Sequence, residues 1–508
     1  MSTTRLRLHH MHLLGLMLLC VVLLALGLPG ATITRAAGNG EDFASNELGN
    51  PWDMDGPGDI AFEYTRDNDN LSSLVISGGE LQATAKNGDP RITLLLPNNP
   101  AINPLPPEGG YRPVSTSKYR YLTVRMTAPG ATLAQVFWQA SLGSTFSGSA
   151  FQAVSGGGYQ TITIDLLANG NGRTGNAWNA SSTIEGLYFD PGMLAGQYKI
   201  DYIRLSTSVP SAPDNVLPIT RITSPSYISG PDYATNELND AWDMSESSDV
   251  AATHDLNAGS ISFSGGIMSA TNVQGTSNCG VLCGDAQVTL RSSGSINTSK
   301  YKYFTYRMQL DGAQDTGNGS VARVLWWSTK PEEASISSSW VIAEGFQTVS
   351  FDLSKFRLEP ASFATWANSA PIKFRFDPHE FAAPHAFHID YVMLTGDSTA
   401  NASFDIRYQA SSGAATVQFF ADTDTNPDNG AGTPISCAVA QTAAVGDSKV
   451  FLPLIMHFGA PPPVVPDGST CRWNTAGVAA GSYFIHSVTS DGTDTTSAYS
   501  QTPVIVSH

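Results

Sequence analysis

The sequence predicts an all-β protein built from tandem antiparallel β-sandwiches, and three observations carry that expectation. First, the chain writes one stretch twice: DFASNELGNPWDM at Asp42 to Met54 returns as DYATNELNDAWDM at Asp232 to Met244, with eight of thirteen positions identical. STSKYRYLTVRM at Ser115 to Met126 then returns as NTSKYKYFTYRM at Asn297 to Met308, and the pairs QVFWQAS/RVLWWST, GYQTITIDL/GFQTVSFDL, YFDP/RFDP and KIDYIRL/HIDYVML follow in the same order. Two units of one kind therefore sit in tandem. Second, the matching segments alternate. Leu122, Val124 and Met126 fall on one face of a strand and Tyr119, Tyr121, Thr123 and Arg125 on the other, as do Phe304, Tyr306 and Met308 against Tyr301, Tyr303, Thr305 and Arg307. Third, Gly, Asn, Pro and Ser turns separate these segments, and no segment keeps an amphipathic helical period beyond two turns.

Taken in order, the 508 residues leave room for about three domains of roughly 150 residues. Residues 1–37 have Arg5 and Arg7, an apolar run from Leu13 to Leu28, and small residues around Ala36 and Ala37. This is the layout of a cleaved secretory signal peptide. An uncleaved anchor is the alternative, but the run is short of the ~20 residues of a spanning helix. Cys20 follows Leu19 where a lipoprotein signal wants a small residue, so no lipid anchor is read. The expected location is secreted or cell-surface associated, with no membrane contact after cleavage. Cleavage removes three arginines and no acids, moving the net charge from -17 to -20. Nucleic acid is not an expected partner, because its phosphates call for clustered Lys and Arg.

Residues 38–207 form the first repeat and 208–231, rich in Pro and Ser, read as an extended linker that holds the repeats apart. The second repeat covers 232–396. A third unit, 401–508, matches neither repeat; its short strands predict a smaller immunoglobulin-like or fibronectin-type sandwich, interrupted by the proline-rich insertion KVFLPLIMHFGAPPPVVPDG. That insertion is either a tucked apolar strand or an exposed adhesive segment. Beyond the signal, Cys279, Cys283, Cys437 and Cys471 remain; the economical pairing is Cys279 with Cys283 and Cys437 with Cys471, out of three connectivities.

The order of an aromatic strand, a turn into YQTITIDL or FQTVSFDL, Trp178 or Trp366, an FDP, and IDYIRL or IDYVML resembles the galactose-binding-like jelly rolls. These are β-sandwiches commonly appended to secreted glycosidases and lyases as carbohydrate-binding modules. The resemblance covers both repeats and implies two jelly rolls that bind a polysaccharide or glycan. It also implies a structural calcium ion between the opening and last strands of a repeat. Asp42 with Asp201, or Asp232 with Asp390, lie where hard oxygen ligands would be needed. The alternative is that these aspartates cap turns or pair with Arg125 and Arg307.

A sugar's C–H face stacks on an aromatic ring while its hydroxyls need polar partners. Trp52, Trp242, Trp138 and Trp326 recur in both copies and read as core. Trp178 and Trp366 follow polar stretches, and Trp327 and Trp340 have no Trp counterpart in the first repeat. These four are the candidate platforms. The DTDTNPDNG loop from Asp422 spaces oxygens like a calcium loop but has Pro427 where glycine is wanted, and reads as an ordinary turn. His379, His385 and His388 with Glu380 are of the types that bind a transition metal, but their spacing fits no H-E-x-x-H pattern and the first repeat has no histidine there. No nucleophile, phosphate loop or paired acid is marked, so no enzyme is expected. The expected function is non-catalytic carbohydrate binding. The alternative is a structural or adhesive surface protein whose sandwiches are spacers, which would bury nearly all of its aromatics.

Overall fold

The computed structural model describes residues 41–508 except 49–50, 55–58, 61–69, 77–78, 87, 89, 96–112, 142, 211–217, 219, 274–284, 313–320, 329–333, 338–339, 343–344, 356–363, 381–382, 411–415, 427–428, 438–468 and 493–494. The signal segment, the Cys279–Cys283 pair and the proline-rich insertion lie outside the described residues. No helix among the described residues is long and apolar enough to cross a membrane.

The described elements are strands joined by turns and single-turn helices. In the first repeat, five strands pair in the order Leu71–Ile76, Leu81–Ala85, Gly196–Ser206, Tyr121–Thr127 and Gln160–Asp165. A second sheet runs Ile92–Leu95, Gly186–Asp190, Thr132–Gln139 and Ser147–Gly148. The alternation in YLTVRMT is realised: Leu122, Val124 and Met126 are fully buried in the cluster between these sheets. Burying the apolar set of every strand on one side drives the two sheets together.

The second repeat has the same order among the described residues, with Val250–His254 as one more edge strand. Ser262–Ser264, Ile267–Thr271, Ala386–Thr395, Tyr303–Leu310 and Gln347–Asp352 form one sheet. Val250–His254, Ala286–Leu290, Lys373–His379, Val321–Trp327 and Ser335–Ile336 form the other. The duplication extends to an irregularity. Pairing between Gly196–Ser206 and Tyr121–Thr127 skips Asp201, and the equivalent pairing in the second repeat skips Asp390. Each aspartate is the extra residue of a β-bulge.

Each opening motif folds into a single π-helical turn, Ala44–Leu48 and Ala234–Leu238. The aspartate before it is a cap. Asp42 Oδ2 accepts the Ser45 N–H at 2.9 Å and its Oδ1 accepts the Leu205 N–H at 3.1 Å. Asp232 does the same with Thr235 at 2.8 Å and Leu394 at 3.1 Å. One carboxylate thus ties the start of each repeat to its last strand.

A third hydrophobic cluster joins a three-stranded and a six-stranded sheet near the C-terminus, and here the expected linker is corrected. Thr220–Ser224 is a strand pairing antiparallel with Ser403–Ala410, and Ile222 enters the third cluster. Tyr227 packs edge-on to Tyr303 at 5.1 Å. The alternation of ITRITS outweighs the Pro- and Ser-rich composition around it, because Thr220 and Ile222 face inward. Cys437 and Cys471 are joined by a disulfide with 5.0 Å between Cα atoms, stapling the strand Ser469–Asn474.

Candidate functional site

Three of the four tryptophans expected to stack on sugar are corrected: they are core residues. Trp178 and Trp366 are fully buried, each donating its indole N–H to a backbone carbonyl, of Tyr119 and Tyr301 respectively, at 2.8 Å. Each meets its neighbouring strand tryptophan edge-on, Trp138 at 5.3 Å and Trp326 at 5.4 Å. Trp340 is equally buried and donates to the Tyr306 hydroxyl at 2.6 Å, with Phe351 at 4.7 Å. A ring enclosed on both faces has no surface to offer a ligand. The polar stretches before Trp178 and Trp366 made them look exposed, but their N–H groups find partners inside.

Trp327 is different. Of the nine tryptophans it alone belongs to none of the three hydrophobic clusters. Along Val321–Trp327, Ala322, Val324 and Trp326 face the core, so the period-2 pleat turns Arg323, Leu325 and Trp327 to the opposite face. The neighbouring strands present Lys373, Arg375 and Asp377, and Gln287 and Thr289, to that same outward face. Trp327 lies opposite Lys373, Leu325 opposite Arg375, and Arg323 opposite Asp377. The Lys373 ammonium sits 4.4 Å from the Trp327 ring centre and the Arg375 guanidinium 5.6 Å from it. With these covers the indole is 8% exposed.

Polar groups extend along the sheet face from Arg375. Arg375 donates to Gln287 at 2.7 Å and to Asp377 at 2.6 Å, and lies 3.7 Å from Asp285. Arg323 pairs with Glu380 and reaches Asp377 at 3.9 Å. Burial, followed by the neighbouring Asp285 charge, pushes the Asp377 carboxyl up to about 7, against the pull of Arg375 and Arg323. Burial raises Asp285 as well. Arg375 thus links the indole to an amide and a buried carboxylate farther along the same sheet face.

The first repeat carries a related patch on the same face. Arg91 lies 5.4 Å from the Phe137 ring centre, 4.8 Å from Phe146 and 5.9 Å from Tyr188. Tyr188 donates to Gln139 at 3.1 Å, and Gln139 occupies the position matching Trp327. Asp190, matching Asp377, accepts the Gly192 N–H at 2.9 Å. Sequence reasoning missed Phe137, Tyr188, Arg91 and Arg375. The signal present was the aromatic or cationic residue before each repeated FDP, but alternation alone did not say which face of that strand is covered.

The aspartates expected to hold calcium do not fit that ion. Both oxygens of Asp42 and of Asp232 already accept N–H groups, and burial raises the pKa of each carboxyl. Asp201 and Asp390, at the bulges, are held by Arg125 and Arg307. These are the capping and pairing roles that the residue types also allow.

The histidines do not converge. His379 and His385 rings lie 6.0 Å apart, while His388 bonds Ser269 at 2.8 Å and Asp311 at 3.2 Å. In the DTDTNPDNG loop, Asp422 and Asp424 accept backbone N–H groups two residues on, at 3.3 Å and 2.7 Å, as in an ordinary turn. Among the described residues, the one group of acidic or metal-ligating side chains gathered closely enough for an ion is Asp240, Glu246 and Asp249.

No family model matches the chain and no curated protein matches it. Among solved structures, it is similar to a variant of CBM29-2, a family 29 carbohydrate-binding module, at 16% identity over 28% of this chain and 79% of that one, with a TM-score of 0.18. It is also similar to CsCBM6-3 from Clostridium stercorarium in complex with cellobiose, at 14% identity over 30% of this chain and 92% of that one, with a TM-score of 0.18. A third, described as a carbohydrate binding module of family 29, shares 12% identity over 36% of this chain and 91% of that one, at 0.18. Scores this low do not bear on what this chain binds.

Proposed function

We propose that the protein is a secreted, non-catalytic carbohydrate-binding protein that engages extracellular or cell-surface polysaccharide through the outward sheet face of its second repeat. The observation that carries this reading is Trp327, the tryptophan turned away from every core, with the Lys373 ammonium and the Arg375 guanidinium over its ring and Arg375 in turn held by Gln287 and Asp377. A sugar ring would stack on the indole in place of the Lys373 ammonium. The arginine and the amide would then take the sugar hydroxyls. The first repeat, with glutamine at the matching position and Arg91 over its aromatics, would bind more weakly.

The test is binding of the full-length protein to a panel of soluble and insoluble polysaccharides, with Trp327→Ala and Trp366→Phe compared. Saturable binding lost in the first variant and kept in the second supports the reading. A specific observation favours a second one, a structural or adhesive surface protein: eight tryptophans are committed to cores, and the ninth is largely covered. Absence of binding to every polymer by folded protein would give that reading the field.

A further inference from the structure

Asp240, Glu246 and Asp249 lie in the loop between the opening turn Ala234–Leu238 and the strand Val250–His254. Ligand oxygens from all three fall within 4.8 Å of one another. Two oxygens bound to one Ca²⁺ at 2.3–2.6 Å are at most about 4.6–5.2 Å apart, so the group is already close to the span of a single coordination sphere. An acidic cluster alone is unremarkable. What sets this one apart is Asp249, which is 0% exposed and has neither carboxylate oxygen in a hydrogen bond. The Glu246 backbone amide lies near enough to stabilise its charge slightly without making a satisfactory bond.

The surroundings make that worse. Asp240, Asp243 and Glu246 all act on Asp249 with like charge. Arg291 donates to Asp240 Oδ2 at 2.5 Å and makes no hydrogen bond to the Asp249 carboxylate. A buried carboxylate without a donor is costly, and one beside three others more so, unless a cation sits among them. All the ligand atoms are hard oxygens, one residue is exposed enough to leave room for water, and no thiol or imidazole takes part.

We propose that Asp240, Glu246 and Asp249 bind a hard divalent cation of the calcium class, which fixes the entry loop of the second repeat. This site shares no residue with the aspartate pairs considered above and does not depend on the carbohydrate reading. The first repeat has Asn50 and Gly56 where the second has Asp240 and Glu246, so the site belongs to the second repeat.

The experiment is equilibrium dialysis of chelator-treated full-length protein against Ca²⁺ and, separately, Mg²⁺, with thermal unfolding in parallel. Glu246→Gln and Asp249→Asn are compared with the parent chain. The expected result is saturable Ca²⁺ binding with a dissociation constant in the ~10⁻⁴–10⁻³ M range of extracellular modules, weakened at least about tenfold in either variant. Ca²⁺ should raise the parent's Tm, and this rise should vanish in Asp249→Asn. That variant removes a buried unpaired charge, so in chelator it should melt no lower than the parent. Unchanged Ca²⁺ binding in both variants, or no binding by the folded parent up to ~10 mM, would overturn the proposal. So would a preference for Mg²⁺.

Discussion

Residues of one type have parted company here according to what lies behind them. Trp366 and Trp327 were both candidate platforms for a ligand, yet one is locked into the core by a hydrogen bond and an edge-on ring, and the other leans outward. Trp366→Ala is therefore expected to lower the unfolding free energy by ~3–5 kcal/mol, as for other large core aromatics, measurable as a fall in urea midpoint. Trp327→Ala should cost clearly less stability. His379 gives a pH-dependent prediction. It is fully buried against Phe387 at 5.5 Å, and burial, followed by the His385 charge, pushes its pKa down to about 3 from 6.5. The unfolded chain takes up the proton first, so this stability is present above pH 6.5 and is lost as pH falls towards 3. At pH 5 the loss is about 2 kcal/mol. Urea midpoints at pH 7 and 5 should converge in His379→Asn; an unchanged difference would show that another group governs the slope.

Among elements, the opening turns and the bulges show how much of the chain was legible. The duplicated motifs, the strands and the inward set of each strand follow from alternation, as with Leu122, Val124 and Met126. The bulges did not, because the extra residue at Asp201 or Asp390 changes which side chain faces the sheet without changing composition. The strand Thr220–Ser224 was hidden for a different reason: its partner, Ser403–Ala410, is remote in sequence. Outward patches are illegible for a third, since Trp326 and Trp327 are adjacent and only the register decides which is buried. Asp232→Ala removes a buried acceptor for the Thr235 and Leu394 N–H groups, and is expected to cost ~1–3 kcal/mol. Asp390→Ala breaks a partly exposed ion pair and should cost less than ~1 kcal/mol. Chemical denaturation of the two variants, with and without Ca²⁺, ranks them; an Asp390→Ala variant that lost a calcium response would restore that aspartate as a ligand.

At the scale of the whole molecule, the Cys437–Cys471 bridge closes 34 residues of sequence separation in the C-terminal part. A loop of that length corresponds to about 4 kcal/mol by the chain-entropy estimate. The double variant Cys437→Ser with Cys471→Ser should unfold earlier in denaturant, and reductant should shift the parent towards it. Equal midpoints would mean that Ile406, Tyr408 and Ile485 hold that core unaided.

The pairing of Thr220–Ser224 with Ser403–Ala410 also fixes an order of assembly. Because the second repeat lies between these strands in the chain, it is nested inside the C-terminal unit as an insertion instead of preceding it like a bead on a string. During synthesis the first edge of that unit leaves the ribosome early and must wait, unpaired, while an entire sandwich is made and folded. Truncation after the second repeat would leave that edge open for intermolecular pairing. The C-terminal unit then acts as a clasp, closed when Ser403–Ala410 pairs with the waiting strand.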